Sequence, residues 1–334
     1  MKKNTRLISI TIISIFLLLS CGGRDFKYKK QKLTYQDLDY ELNVKYLNLD
    51  NYGKIAYVDE GMGNTTLFLV HGVGTYIKHW LYQINELKKK YRVVAVDMPG
   101  YGKTGYSSGV NYTTIYHGKA MAAVIKKLGL KNVILIGHSY GGNVVVEMSD
   151  YSGLNIIGMI MIAPQGLQKL NRHDIQYYDN NLRGMLKYDF SIKANINTWF
   201  DYLISKQTKI TDNYLRELLG LIYSGAYRDT VKVRTQVLMF QQRKRYNNVL
   251  ISKFQRFNKP NMLIIGKDDR IVPGFAPSQM RAPRPSEYFS LFCNTNSKCK
   301  LKLISGCGHM VPIELPNTVN SLIKKFANAL ETVK

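Results

Sequence analysis

The chain has 334 residues, 45% of them hydrophobic and 21% charged. That composition suits a folded protein able to bury a substantial core and excludes a disordered or low-complexity polymer. Its 47 Lys and Arg stand against 23 Asp and Glu for a formal charge of +24. The excess reads as a solvated surface, with attraction to anionic lipid head groups as the alternative. Binding of nucleic acid fits poorly, because no recognisable binding motif accompanies the charge. Spacings such as C-x-x-C or H-E-x-x-H are absent, so neither metal nor cofactor is expected.

In chain order, Lys2, Lys3 and Arg6 precede an apolar stretch over 7–19 and then Ser20-Cys21-Gly22-Gly23, the anatomy of a signal peptide over residues 1–20. The apolar part is several residues too short to span a bilayer. Residues 21–42 carry Lys27, Lys29, Lys30 and Lys32 with little apolar periodicity, which predicts a basic tether and a folded part beginning near Asn43. A hairpin is predicted from 44–49 and 54–58, turning at Asn51-Tyr52-Gly53. A short apolar strand over 67–70 ends in His71-Gly72-Val73-Gly74, and the run 93–96 leads into Asp97-Met98-Pro99-Gly100-Tyr101-Gly102-Lys103-Thr104. The Gly102-Lys103-Thr104 end mimics a phosphate-binding loop, but Asp97 stands where that loop needs its first glycine, so no nucleotide is implied.

The apolar run 132–136 is followed by Gly137-His138-Ser139-Tyr140-Gly141 and a helix-like run over 143–148. A serine hydroxyl attacks a carbonyl only when a sharp strand-to-helix turn exposes Oγ to a base, and Gly137 and Gly141 permit such a turn. The strand 156–162 comes next, ended by Ala163-Pro164. From 165 to 259 no β-run appears; helical stretches such as 213–223 and 230–243 take over. Tyr177, Tyr178, Trp199, Phe200 and Tyr202 read mostly as packing between small helices, with some lining a pocket. A strand over 262–265 runs into Gly266-Lys267-Asp268-Asp269, placing an acid at a strand end, and a strand over 301–304 precedes Gly308-His309. The order Ser, Asp, His and a loop at 71–74 able to offer a second oxyanion amide complete the set that acyl transfer needs. His71 and His138 read as loop-shaping residues, and His79, His117 and His173 take surface or packing roles by default.

These five motifs, in this order, resemble the α/β-hydrolase fold superfamily in its esterase and lipase-like branch with a helical cap, over residues 43–334. The resemblance implies an α/β fold with a mostly parallel central sheet flanked by helices, built from 43–164 and 260–334, and a cap over 165–259. It implies Ser139 as nucleophile, His309 as base, Asp269 as the acid of a G-x-x-D pattern, and the amides of Val73 and Tyr140 as oxyanion donors. Ser139 stands where dehalogenases and epoxide hydrolases of this fold carry aspartate, and Val73 breaks the glycine run of the hormone-sensitive lipase type. A small-molecule ester is therefore the expected substrate, with amide, peptide or thioester hydrolysis, or a non-catalytic binding module, as alternatives. No cofactor is implied.

The sequence Leu18-Leu19-Ser20-Cys21 resembles a bacterial lipobox, which implies a lipidated Cys21 anchoring the chain to a membrane of the cell envelope, facing the periplasm or the surface. Gly23 is not the aspartate of inner-membrane retention. In an exported chain Cys293 and Cys299, flanking a short loop, suit a disulfide, while Cys307 reads as an unpaired, partly buried thiol. Oligomeric state stays open.

Overall fold

The computed structural model describes residues 33–165, 167, 171–174, 176, 202–241, 244–272 and 284–332. The signal segment, Cys21, Tyr177, Tyr178, Trp199 and Phe200 lie outside the described residues.

The apolar runs become strands. β3 (Thr66–Val70) and β5 (Val133–His138) are buried at every position, as strands covered on both faces must be. Between them in the chain lies β4 (Arg92–Val96), and β6 (Ile156–Ile162) and β7 (Asn261–Gly266) follow. β8 (Cys299–Ile304) closes one edge, and the hairpin β1 (Lys45–Leu49) with β2 (Gly53–Glu60) closes the other. The order is β1-β2-β4-β3-β5-β6-β7-β8; only β1–β2 and β2–β4 pair antiparallel. This is the expected mostly parallel sheet. Register carries β3, β5, β6 and β7 to one level, with Val70 beside Gly137, His138 beside Ile162, and Ile162 beside Ile264. The loops leaving their carboxyl ends therefore converge, where open parallel sheets place their ligands.

Helices flank the sheet in groups. α1 (Leu81–Leu87) packs with α9 (Pro316–Glu331), and α2 (Thr114–Lys127) with α3 (Tyr140–Met148). Gly158 of β6 admits Phe326 and Leu330 of α9, since a Cβ there would stand 2.8 Å from Leu330. α4 (Lys209–Ser224), α5 (Arg228–Gln241) and α6 (Lys244–Arg256) occupy the region expected to be cap. α4 begins with a capping box at Thr208 and Thr211 and ends at Gly225 with φ +83°, a left-handed position that suits glycine. α6 behaves differently, packing on α3 and stacking Phe254 on Phe292 of α7 (Pro285–Asn294), so it flanks the sheet.

The predicted tether to residue 42 needs correction. Leu38 and Tyr40 are buried, in a strap that starts with a turn over 35–37. Ser224 Oγ donates to the Leu33 carbonyl, Tyr35 Oη bonds Thr230 Oγ1 at 3.0 Å, and Tyr40 Oη donates to Asp97 at 2.9 Å. The strap thus runs from the α4 and α5 region onto the sheet. Leu33, Leu38 and Leu42 pack on the core, and the tyrosine hydroxyls add polar connections to it. Cys293 and Cys299 are joined by a disulfide between α7 and β8.

Candidate active site

β5 ends at His138 and α3 starts at Tyr140, leaving Ser139 alone at the turn with φ +52° and ψ −120°. A non-glycine residue in that region is strained, and it persists only where its surroundings overdetermine it. They do so here. A Cβ on Gly137 would stand 2.2 Å from the Gly141 carbonyl, and one on Gly141 would stand 2.2 Å from that of Val70. The Ser139 amide donates to the Ile162 carbonyl, and the Ser139 carbonyl accepts from Gly142. The turn is thereby clamped between β3, β6 and α3.

The loop after β8 brings His309 to this turn. Ser139 Oγ and His309 Nε2 are 3.0 Å apart, and His309 Nδ1 lies 2.9 Å from Asp269 Oδ2. An ionised carboxylate can only accept, so Nδ1 carries the proton and Nε2 is left to accept from the serine hydroxyl. The other Asp269 oxygen accepts from the amides of Ile271 and Val272. All three side chains are buried. Asp268, its predecessor, is exposed.

Backbone bonds hold the histidine. The amides of His309 and Met310 both donate to the Leu203 carbonyl, and His138 Nε2 donates to the His309 carbonyl at 2.9 Å. Glu314, at the end of the short helix α8 (Val311–Glu314), accepts from the amides of Ser205, Lys206 and Gly308, tying the segment before α4 to the histidine loop. Burial raises the Glu314 carboxyl above the ordinary range even so. The sequence signal for this role was present in the final His309-to-Glu314 motif.

Four buried histidines surround the site as neutral rings. His71 accepts from the Met98 amide at Nε2, so Nδ1 donates to the Gly72 carbonyl. His117 donates from Nε2 to the Pro99 carbonyl and accepts at Nδ1 from Tyr140 Oη at 2.6 Å. His79, read as surface or packing by default, is fully buried and stacks on His138 at 4.5 Å. Burial lowers His71 and His79 to about 3 and His117 to about 4, and it depresses His138 as well. Their partners became visible only when distant segments met. His173 is exposed.

Tyr140 is the first residue of α3, where a backbone N–H has no partner within the helix and the helix dipole favours negative charge. Val73 lines the cavity, in a loop pinned where Thr75 donates twice to the Gly72 carbonyl. A cavity of about 110 Å³ opens beside Ser139 and His309. Its apolar wall comes from Leu203, Leu215, Leu218, Ile271 and Met310. Tyr227, which donates to the Gly74 carbonyl, and Arg234 add polar groups to the lining. Cys307 is buried and unpaired, and burial pushes its thiol far up, so it is inert as a nucleophile at neutral pH.

Residues 65–316 match the family model described as the alpha/beta hydrolase fold. The uncharacterized hydrolase YugF of Bacillus subtilis is 24% identical over 270 residues, 79% of this chain and 90% of that protein. A monoacylglycerol lipase of Xenopus laevis is 22% identical over 307 residues, covering 88% of this chain and 84% of its own. Among solved structures, a membrane phospholipase A described as a bacterial virulence factor superposes with TM-score 0.69 at 20% identity over 87% of each chain. A protein of Acinetobacter baumannii designated lip1 superposes with TM-score 0.69 at 17% identity, covering 88% of this chain and 94% of the other. At these identities the superpositions speak to fold alone. The family match, however, runs from the start of β3 to the start of α9 and so takes in both halves of the parallel sheet, and on that ground the protein belongs to the α/β-hydrolase fold family.

Proposed function

We propose that the protein hydrolyses carboxylic esters through an acyl-enzyme formed on Ser139. The observation that carries this reading is the unbroken chain of hydrogen bonds from Asp269 through His309 to Ser139, opening on an apolar-walled cavity. Ser139 Oγ attacks the ester carbonyl as its proton passes to His309 Nε2, and the carbonyl oxygen becomes an anion held by the amides of Val73 and Tyr140. Asp269 stabilises the imidazolium through Nδ1. The tetrahedral intermediate collapses as His309 returns the proton to the departing alcohol. Water, deprotonated by the same base, then attacks the acyl-enzyme and releases the acid. An apolar wall favours an acyl chain, and the named activity of the Xenopus relative is consistent with an ester of this kind.

Replacement of Ser139 by Ala is expected to abolish hydrolysis of p-nitrophenyl esters by about ten-thousandfold or more with thermal stability unchanged. A series graded in acyl length, with amide and thioester controls, ranks the leaving groups. Activity within tenfold of wild type in the Ala variant sinks the assignment. We also propose that Cys21, by its lipobox-like context, is lipidated and holds the enzyme to an envelope membrane.

A further inference from the structure

Acyl transfer at Ser139 needs backbone N–H groups that are free and already aimed when the oxyanion forms. Among the described residues neither the Val73 nor the Tyr140 amide has a hydrogen-bond acceptor, so both are free. Aim is a separate matter. The Tyr140 amide follows directly on Ser139, whose φ of +52° and ψ of −120° are held only as long as the residues on both sides are fixed. On one side β5 is paired with β6 up to His138. On the other side Tyr140 opens α3, and the first N–H of a helix gains no orientation from an intrahelical bond.

The side chain of Tyr140 supplies a hold at that end. It is fully buried, with Oη 2.6 Å from His117 Nδ1 and its ring edge-on to the imidazole at 5.6 Å. His117, fully buried on α2, turns Nε2 to the Pro99 carbonyl at 2.9 Å. A carbonyl only accepts, so Nε2 carries the proton, Nδ1 is a bare lone pair, and the tyrosine hydroxyl is obliged to donate. Burial lowers His117 to about 4, which keeps this neutral form at pH 7. The imidazole also stacks on Tyr112 at 5.9 Å, and Tyr112 Oη accepts from the Ser107 amide. Around Pro99 the loop is closed by the Gly100 amide on the Gly105 carbonyl and the Tyr101 amide on the Met98 carbonyl. The chain of bonds therefore starts on a fixed loop and ends on the residue beside the nucleophile. His117 is absent from the cavity wall, so it reaches the reacting atoms only through Tyr140.

We propose that His117 and the Tyr140 hydroxyl form a positioning relay that aims the Tyr140 amide at the oxyanion. The inference rests on the ester-hydrolase reading and adds to it two side chains that act through a backbone N–H without touching substrate. A buried, charge-free relay of this kind holds a donor rigid at no cost when the anion forms, whereas a loosened donor has to be re-aimed in every turnover.

The test uses the full-length enzyme with p-nitrophenyl butyrate and a fluorophosphonate, which bonds Ser139 Oγ to phosphorus as fluoride leaves and the serine proton passes to His309. Tyr140→Phe keeps the ring and removes only the hydroxyl. Its kcat, taken per site that the fluorophosphonate labels, is expected to fall by about tenfold with KM within about twofold, since misaiming one donor costs less than the roughly hundred- to thousandfold of deleting it. A merely structural role would lower the number of labelled sites and leave kcat per site unchanged. His117→Phe, which offers no acceptor, should lose about as much, and the double variant no more than either, because both remove one contact. His117→Asn, whose side-chain oxygen can stand in for Nδ1, should recover about threefold over His117→Phe. A kcat per site within twofold of wild type in Tyr140→Phe, or losses that multiply in the double variant, overturns the proposal. Should Tyr140→Phe not fold, the two His117 variants read the same contact, and equal kcat in both overturns it. If the wild type hydrolyses no ester, the ester reading fails and the rate of labelling decides. About tenfold slower labelling of Tyr140→Phe sustains the relay, and equal rates, or no labelling of either protein, remove it.

Discussion

Asp268 and Asp269 are neighbours in the chain with opposite surroundings: the first is exposed, the second is buried against His309 and accepts from two amides. Lys267 and Asp268 form a turn closed by the Asp269 amide on the Gly266 carbonyl, and that turn brings only the second carboxylate to the histidine. The G-x-x-D pattern selected Asp269, and the geometry brings the same residue to Nδ1. Asp269→Asn keeps the shape but loses the charge that fixes the tautomer, and kcat is expected to fall by about a thousand- to ten-thousandfold. Asp268→Asn should cost less than about tenfold, because an exposed carboxylate contributes little. Both are read on one short-chain ester at saturation, and a crippled Asp268→Asn enzyme would move the acid by one residue.

At the scale of elements, the segment after β4 has a function that its motif did not disclose. Asp97 is fully buried, and its carboxylate accepts from the Ile77 amide at 2.6 Å, the Lys103 amide at 2.7 Å and Tyr40 Oη at 2.9 Å. Gly102 has to be glycine, since a Cβ there would lie 2.2 Å from Asp97 Oδ2. Thr104 completes the turn by donating to the Asp97 carbonyl and accepting from the Ala56 amide. The motif holds three loops together and lies outside the cavity lining. Asp97→Ala leaves three buried donors without an acceptor and should cost about 3–5 kcal/mol of stability at pH 5, measured by denaturant unfolding. Burial raises this carboxyl to about 7, against the three donors. The folded state therefore holds the proton more tightly than the unfolded chain, and the stability contributed by Asp97 declines as pH rises from about 4 to about 7. The gap between wild type and Asp97→Ala should accordingly narrow from pH 5 to pH 8, and a gap that widens would contradict the assignment.

For the whole molecule, the strap over residues 33–42 links the α4 and α5 region to the sheet, and it begins close to the proposed anchor. Twelve residues from Cys21 to Leu33 span at most about 40 Å when extended. Lipidation would therefore keep the body within about one molecular diameter of the bilayer. Cys21→Ala is expected to move the protein from the membrane fraction to the soluble one, or to block its processing, as read by fractionation and mass spectrometry of the mature amino terminus. An unmodified terminus at another residue in the wild type would refute the anchor.

The sequence by itself determined the parallel sheet, the elbow at Ser139, and the candidate acid and base, because each depends on local pattern. Apolar runs specify buried strands, glycines specify the turn, and resemblance to the family's G-x-x-D pattern selects Asp269. What only the tertiary structure decided depends on contacts across long separations. The strap from residue 33 packs through tyrosine hydroxyls that meet Thr230 and Asp97, 195 and 57 residues away. α6 flanks the sheet through Phe254 and Phe292 instead of covering the site. His117 and His138 find acceptors 18 and 171 residues distant, which no window of sequence contains.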